Sequence, residues 1–469
     1  ARCSRCMPSD GWHRKPRPSS MRNGYRVAGG LTLLLLVIVW MRSRGGEPRC
    51  DLSTYDAATT EALDLKRCGL DALPATIIAF QRLKKLDLGF NSLSSLPRLP
   101  ESLEIVFLLS NAFEAVPPQV SPLPNLRMLS FKSNRLRSVG VPLPTSLKWL
   151  ILTDNHLAEL PHQLGELTLM RKLMLANNRL SSLPRSMASM RELELLRLAN
   201  NWLRRLPEWL HALPRLTWLA VAGNPCVSPA PPRASLLPVA WEELSLGERL
   251  GEGTSGIVHK ASWKGQTVAV KLYKSELSSD GRSLDEVFAS CAVEHPHVLK
   301  FLGYFERPKL GAVLEWAPGL RSLGKPPSME TITRDTYGAT ASFGGRVIRA
   351  VASSIAAALA HLHSRGVAHG DCYAHNILFE PTSGEAKLSD FGAAFYYGRD
   401  SPHARGYERM EARALGFLLQ ELLARHDGSD AVFLPPVREV AAACAAPGNE
   451  TPAQHPCQTI ADAERHLAT

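Results

Sequence analysis

Four residues of this sequence have the types and spacing that phosphoryl transfer requires. Lys271 ends the run VAVK, Asp371 and Asn376 lie five residues apart in HGDCYAHN, and Asp390 begins DFG. A lysine can pair with nucleotide phosphates, and an aspartate can accept the proton of an attacking hydroxyl. The side-chain oxygens of Asn376 and Asp390 suit Mg²⁺ that bridges the phosphates. These segments therefore predict a site for phosphoryl chemistry, with Asp371 as its base.

A glycine-rich segment precedes the lysine. In LGEGTSGIV the three glycines form GxGxxG, which lets a hairpin backbone approach phosphates closely. A strand rather than a helix follows, which excludes a dinucleotide-binding fold. Glu286, in a predicted helix, is the candidate partner that holds Lys271, and 315–317 is the candidate hinge to adenine. The candidate nucleotide-binding residues are Gly251, Glu252, Gly253, Thr254, Ser255, Gly256, Val258, Ala269, Lys271, Glu315 and Ala317.

An internal repeat, LxLxxNxLxxLP, occupies the chain ahead of these motifs. Eight turns in register predict a leucine-rich-repeat solenoid over 51–227, whose leucines point inward and whose Asn side chains bond the backbone. Large apolar residues at the intervening strand positions predict a concave face that binds a protein partner. The Asn-or-Cys positions are Cys68, Asn91, Asn111, Asn134, Asn155, Asn178, Asn201 and Asn224. The candidate partner-binding residues are Phe107, Trp149, Ile151 and Trp218.

Charge and cysteine content argue against two classes of protein, nucleic-acid-binding proteins and disulfide-rich scaffolds. The 469 residues carry a net charge of +10, of which residues 1–49 contribute +8, with ten basic and two acidic side chains. The remainder has no excess charge with which to hold a phosphate backbone, so we predict no nucleic-acid partner. Nine scattered cysteines favour a reducing compartment over a disulfide framework.

The basic leader, 1–50, contains an apolar segment at 27–41 flanked by arginines on both sides. The segment is shorter than the roughly 20 residues that span a bilayer. We predict a short membrane anchor with both following domains in the cytosol. A cleaved signal or transit peptide, leaving a cytoplasmic or organellar protein, is the alternative.

The motifs resemble, in order and type, those of the protein-kinase fold over 239–469, after a Pro-rich linker at 228–238. The whole chain is similar to leucine-rich-repeat-containing protein kinases. The predicted fold class is thus an α/β solenoid followed by a bilobal α+β domain. The resemblance implies ATP and Mg²⁺ as cofactors and a serine/threonine-type protein hydroxyl as acceptor, with the repeats recruiting a substrate or regulator.

Several departures from the family pattern leave alternatives open. Gly370 replaces the Arg of HRD, Tyr373 replaces a loop lysine, and Glu411 stands where an Asp is usual. The segment after DFG is short and lacks APE, which reduces the peptide-docking platform. A nucleotide-binding pseudokinase scaffold is one alternative. A small-molecule phosphotransferase of the aminoglycoside or choline kinase sort is the other.

Overall fold

The computed structural model describes residues 50–228, 237–253, 255–446 and 459–468. The basic leader with its apolar segment 27–41, most of the Pro-rich linker and Thr254 lie outside these ranges. What the sequence predicts for those residues therefore stays a prediction.

Eight short strands form one parallel sheet in the first domain, ordered as in the sequence. The middle residue of each strand points into the interior, and Leu150 and Leu173, which are paired in register, are both fully buried. Side chains alternate across a strand, so the two flanking residues lie on the opposite, concave face. The strands are β1 (Ala62–Asp64), β2 (Lys85–Asp87), β3 (Ile105–Phe107), β4 (Met128–Ser130), β5 (Trp149–Ile151), β6 (Lys172–Met174), β7 (Leu195–Arg197) and β8 (Trp218–Ala220).

Short 3₁₀ turns, several of them directly after the proline of an LP pair, connect most of these strands. Proline has a fixed φ and no N–H, so it suits the entry of a helical turn, as before His162–Glu166 and Arg185–Ser189. The turns of this domain are Leu52–Thr54, Ala75–Ala79, Pro118–Val120, His162–Glu166, Arg185–Ser189 and Glu208–Leu210.

The repeated asparagines form a ladder of buried hydrogen bonds that links each repeat to the previous one. Asn178 donates from Nδ2 to the carbonyls of Leu152, at 2.9 Å, and Leu175, at 3.0 Å. Its Oδ1 accepts from the backbone N–H of Leu157 at 3.0 Å. The Asn178 side chain thus gives hydrogen-bond partners to backbone N–H and C=O groups at the turn after the strand, where the sheet does not provide them.

A disulfide joins Cys50 to Cys68 at the first repeat. Cys68 occupies the position that asparagine holds in the later repeats, so a covalent bond stands at that point of the ladder. The expectation that the cysteines are reduced is therefore wrong for this pair.

The N-lobe of the second domain is a five-stranded antiparallel sheet with one helix packed beside it. The strand order is β12-β13-β11-β10-β9. Val268 and Val270 are buried on one face of β11, and Ala269 is buried on the other. This explains why VAVK forms an interior strand. The elements are β9 (Leu244–Glu252), β10 (Gly256–Trp263), β11 (Gln266–Tyr273), α1 (Ser283–Cys291), β12 (Phe301–Phe305) and β13 (Gly311–Glu315).

The C-lobe is mainly helical. Helix α2 (Gly345–Ser364) is, within the described ranges, long and apolar enough to span a membrane, but its apolar side chains pack in the C-lobe core. The other elements are β14 (Arg321–Ser322), β15 (Val367–Ala368), the 3₁₀ turn Ala374–Asn376, β16 (Ile377–Phe379), β17 (Ala386–Leu388), β18 (Phe395–Tyr396), α3 (Ala404–Leu423), the 3₁₀ turn Ala431–Phe433, α4 (Pro435–Ala445) and α5 (Ile460–Ala468). The predicted fold class, a leucine-rich-repeat solenoid followed by a bilobal α+β domain, is confirmed.

The concave face of the last repeats packs directly against the second domain. Leu195 and Trp218, each 2% exposed, lie within the apolar core of the C-lobe. Conversely, Phe395, Tyr407 and Met410 of the C-lobe belong to the solenoid's apolar cluster. The solenoid and the second domain therefore share a continuous core.

The asparagine ladder generates a stability prediction. Replacement of Asn178 by Ala leaves a buried N–H and several carbonyls without partners, and each such group costs about 1–3 kcal/mol. We expect the free energy of unfolding, measured by urea denaturation, to fall by at least about 2 kcal/mol.

Asn125→Ala is the matched control, because Asn125 is exposed and makes a single hydrogen bond, from Nδ2 to Glu101 O at 3.1 Å. Its cost should stay within about 0.5 kcal/mol. Equal losses for the two variants would contradict the role of the ladder.

Candidate active site

The glycine-rich segment forms the hairpin between β9 and β10. Gly251 and Gly253 face open space, whereas a Cβ added at Gly256 would lie 2.8 Å from Leu272 O. Only glycine therefore fits at position 256, where β10 lies against β11. Glu252 pairs with Lys274 at 2.5 Å, which fixes the edge of the hairpin.

Lys271 on β11 lies between two carboxylates. Its Nζ is 2.5 Å from Glu286 Oε1, on α1, and 3.3 Å from Asp390 Oδ1. Burial lowers the pKa of Lys271, but the charges of Asp390 and Glu286 outweigh burial and hold that pKa above its ordinary value. For Asp390, burial raises the pKa. The charge and hydrogen bond of Lys271 more than reverse this effect and lower the pKa, so Asp390 stays ionised. The site thus presents a charged lysine beside a carboxylate that can bind a cation.

The loop after β15 brings Asp371 and Asn376 together. Asn376 donates from Nδ2 to Asp371 Oδ2 at 3.0 Å and to the Asp371 carbonyl at 2.9 Å. The N–H of Ser389 donates to Asn376 O at 2.9 Å, which ties this loop to the segment that carries Asp390. Asp390 itself has a left-handed φ of 59°, a strained conformation of the kind that clusters at functional sites.

A cavity of about 470 Å³ lies between the two lobes, within the size range of ligand sites. Leu250, Leu320 and Leu378 add apolar walls that the sequence did not single out. Gly251 and Glu252 lie on the same hairpin but outside the lining, and Glu315 turns its carboxylate to Lys387, at 2.7 Å. The sequence-predicted residues that line the cavity are Gly253, Ser255, Gly256, Val258, Ala269, Lys271, Glu286, Glu315, Ala317 and Asp390.

The residues present fit Mg²⁺. Asp390 has a side chain that is 42% exposed, so its carboxylate is accessible to a cation. The Asn376 amide donates from Nδ2 to Asp371 Oδ2, and its oxygen is of a type that Mg²⁺ accepts as a ligand. Within the described ranges no group of three or more His, Cys, Asp or Glu side chains forms a metal cluster. Mg²⁺ needs no such cluster, because one or two protein oxygens together with phosphates and waters are sufficient.

Glu411 on α3 anchors the loop after β15 (369–376), the candidate catalytic loop, hereafter called the catalytic loop. Its Oε1 accepts from Gly370 N at 2.6 Å, and its Oε2 accepts from His369 N at 3.1 Å and contacts His363 Nε2 at 2.7 Å. The sequence showed Glu411 only as a departure from an expected Asp. The structure shows that its side chain supplies a buried carboxylate to the backbone of this loop.

The solenoid adds residues that sequence reasoning missed. Arg197 on β7 ion-pairs with Asp371, and Trp218 on β8 donates from Nε1 to Cys372 O at 3.2 Å. The Trp218 ring stacks on Tyr373 at a centroid distance of 4.2 Å. The sequence signal for Arg197 was a charged residue at a concave strand position, but nothing in the sequence shows what it faces.

The prediction for Trp218 as a partner-binding residue is corrected. The side chain is 2% exposed because the chain's own catalytic loop covers it. Phe107, Trp149 and Ile151 are half-buried, and Trp149 lies under Lys172 Nζ at 4.1 Å. Partner binding by these three residues stays a prediction.

Comparison with known proteins gives two family matches. Residues 244–425 match the model of the protein kinase domain, and residues 145–203 and 168–225 match the leucine rich repeat.

Several curated protein kinases are similar to part of this chain. The serine/threonine-protein kinase mos of Xenopus laevis is 29% identical over 37% of this chain and 48% of its own. A probable LIM domain-containing serine/threonine-protein kinase of Dictyostelium discoideum is 28% identical over 40% and 30%. A seven transmembrane domain-containing tyrosine-protein kinase of the same organism is 30% identical over 36% and 25%. The chain thus spans less than half the length of each of these relatives.

Gly370 generates a prediction about the contact between the solenoid and the loop. Its φ is +74°, and an added Cβ would lie 2.5 Å from Leu219 O on β8 and 2.7 Å from Ala393 O of the C-lobe. Gly370→Ala therefore adds a clash to the conformational strain, and we expect a loss of about 2–4 kcal/mol in the free energy of unfolding.

Gly265→Ala is the control, because Gly265 has a φ of +78° and open space around its Cβ position. It should lose only about 1 kcal/mol from the left-handed conformation. Similar losses would mean that position 370 is not tightly packed between Leu219 of the solenoid and Ala393 of the C-lobe.

Glu411 generates a prediction about pH. Burial raises its pKa, but the hydrogen bonds and charge from His363, together with His369 and the N–H of Gly370, lower it below its ordinary 4.5. A depressed pKa contributes stability that is present above the unfolded value and lost as the pH falls through the folded value. Glu411→Gln, with one acceptor oxygen for several donors, should cost about 2–4 kcal/mol at pH 7.

The difference in unfolding free energy between wild type and Glu411→Gln should shrink as the pH falls below about 4.5. The exposed Glu114→Gln substitution is the control, and its effect on the unfolding free energy should stay within about 0.5 kcal/mol. A difference that stays constant down to pH 3 would contradict an ionised Glu411.

Proposed function

Because the chain joins leucine-rich repeats to a protein kinase domain, we propose that it transfers the γ-phosphoryl group of ATP to a serine or threonine hydroxyl of a protein. The observation that carries this proposal is that Lys271 Nζ lies 2.5 Å from Glu286 Oε1 and 3.3 Å from Asp390 Oδ1. The loop that holds the Asp371–Asn376 pair is hydrogen-bonded to the segment that carries Asp390, through Ser389 N and Asn376 O. The names of two of the relatives described above support the serine/threonine type, and one supports a tyrosine acceptor.

In this proposal each residue performs a distinct step. Lys271, held by Glu286, pairs with the α and β phosphates, and the hairpin glycines admit the triphosphate to the cavity. Asp371 orients the acceptor hydroxyl and takes its proton, while Asn376 keeps the carboxylate in place. Asn376 and Asp390 hold Mg²⁺. When bound, the ion neutralises the charge that develops on the phosphates.

A smaller acceptor is a second candidate, and one observation favours it. Trp218 and Arg197 cover part of the catalytic loop, on a domain that already has a short segment after DFG. A compact alcohol, such as an aminoglycoside or choline, needs less of that surface than an extended peptide does.

The solenoid's recruiting role is also a proposal. Three half-buried side chains on β3 and β5 keep part of their surface exposed: Phe107, Trp149 and Ile151. They offer aromatic and aliphatic surface to a protein substrate or regulator. Membrane association through residues 27–41, with both domains in the cytosol, completes the proposal.

Replacement of Asp371 by Ala tests the chemistry. The full chain is incubated with labelled ATP, Mg²⁺ and generic protein acceptors, and phosphate incorporation is measured. Loss of the proton acceptor should lower the rate by about 10²–10⁴-fold, while nucleotide binding persists.

The exposed Asp71→Ala substitution is the control and should keep the wild-type rate. Equal rates for Asp371→Ala and wild type would refute the assigned base. Nucleotide binding without transfer in either protein would favour a scaffold. Transfer to aminoglycosides or choline but not to proteins would favour the second candidate.

A further inference from the structure

Arg197 reaches from the solenoid into the catalytic loop and joins both lobes there. Its guanidinium is ion-paired with Asp371 through Nη2 and lies 2.7 Å from Asp280 Oδ1 through Nε. Its Nη1 donates to Gly370 O at 3.2 Å. Asp371 belongs to the C-lobe, and Asp280 belongs to the segment that leads into α1 of the N-lobe. One solenoid side chain therefore spans the cleft beside the carboxylate that would receive the proton.

The Arg197 guanidinium is a buried cation that has a carboxylate on each of two sides. The Arg197 side chain is 4% exposed, and those of Asp371 and Asp280 are 17% and 21% exposed. Burial alone lowers the pKa of Arg197, but the two carboxylates more than offset burial and raise it. The guanidinium is thus permanently charged, and it offsets the negative charge of Asp371 and Asp280.

Tyr373 leaves the catalytic loop without the positive charge that a lysine would carry at this position. Protein kinases of the serine/threonine type are expected to carry a lysine at this position, two residues after the aspartate. Here Tyr373 stacks on Trp218 with an interplanar angle of 10°. The position that would supply the loop's cation instead docks the solenoid, and the solenoid supplies the cation.

The contact between the solenoid and the C-lobe is apolar and buried like the core of a single domain. Trp218 and Leu195 are 2% exposed, and Phe395 and Tyr407 pack into the solenoid's cluster. Separation would expose all four large side chains to water, which is unfavourable. None of the solenoid's residues lines the nucleotide cavity. The solenoid thus leaves that cavity open and acts on the acceptor side.

We propose that Arg197 is a positioning residue of the active site: it fixes the Asp371 carboxylate and ties the catalytic loop to Asp280, in place of the loop's missing lysine. This inference rests on the proposed function for its kinetic consequences. It makes the solenoid an integral part of the catalytic unit and not only a recruiting module.

Kinetics of the full chain test the proposal. Arg197→Ala should lower kcat by about tenfold to a hundredfold, because a displaced catalytic group loses alignment, while KM for ATP stays within about twofold. Arg197→Lys should retain an intermediate rate. The matched control is Arg204→Ala, an exposed arginine on the same solenoid, which should keep the wild-type kcat.

Chemical rescue separates positioning from a general loss of structure. Millimolar guanidinium chloride should raise the kcat of Arg197→Ala but not that of wild type, with equal sodium chloride as the reference. An unchanged or increased kcat for Arg197→Ala would overturn the proposal, and an increase would identify the contact as inhibitory. A low kcat without rescue, together with a lowered melting temperature, would assign Arg197 a structural role only.

A thermal cycle provides a readout that needs no activity. Arg197→Ala, Asp371→Ala and the double variant are compared by melting temperature. The double variant should lose less than the sum of the single losses, because the two side chains stabilise each other. Additive losses would overturn the proposal. If wild type transfers no phosphate, the proposed function fails, and this cycle alone decides whether Arg197 is coupled to Asp371.

Discussion

A guanidinium buried between two carboxylates sets the arrangement of the three parts of this molecule. A buried charge is tolerated only when it is paired, and removal of one partner leaves the others uncompensated. Arg197 comes from the solenoid, Asp280 from the N-lobe and Asp371 from the C-lobe. Each part therefore fixes the other two, and the geometry of the catalytic loop depends on a residue outside the kinase domain.

The features that weaken the resemblance to protein kinases lie at this same contact. Any Cβ at Gly370 would meet Leu219 O, so the arginine of HRD has no room. Tyr373 packs on Trp218 instead of carrying a charge. Small solenoid residues, Ala220 on β8 and Ala176 and Ala199 two residues after β6 and β7, pack against Ala393 just after DFG. The departures are thus physically consistent with a domain built to receive a solenoid.

Local patterns predicted most of the fold and much of the nucleotide side of the site. The Asn ladder repeats within each turn, and Lys271, Asp371 and Asp390 each sit in a motif whose spacing alone is informative. Arg197 could not be predicted, because it meets Asp371 across 174 residues of sequence. For Trp218, strand alternation correctly placed the side chain on the concave face but could not tell what lies opposite. The Cys50–Cys68 bond was missed because scattered cysteines do not reveal their pairing.

The solenoid also contacts the segment that leads into α1, and this bears on how the kinase domain is organised. Asn177 donates from Nδ2 to Ser278 O at 2.9 Å, and Arg282 donates to Asn200 Oδ1 at 3.1 Å. These bonds brace the entry of the helix that carries Glu286, and therefore the Lys271–Glu286 pair. With Gly370 in place of an arginine, the loop itself offers no cation at this position to a phosphorylated activation segment, and the Arg197 guanidinium is already paired with Asp371 and Asp280. Because the repeats already hold the entry of this helix, we expect the two lobes to keep this arrangement without phosphorylation of that segment.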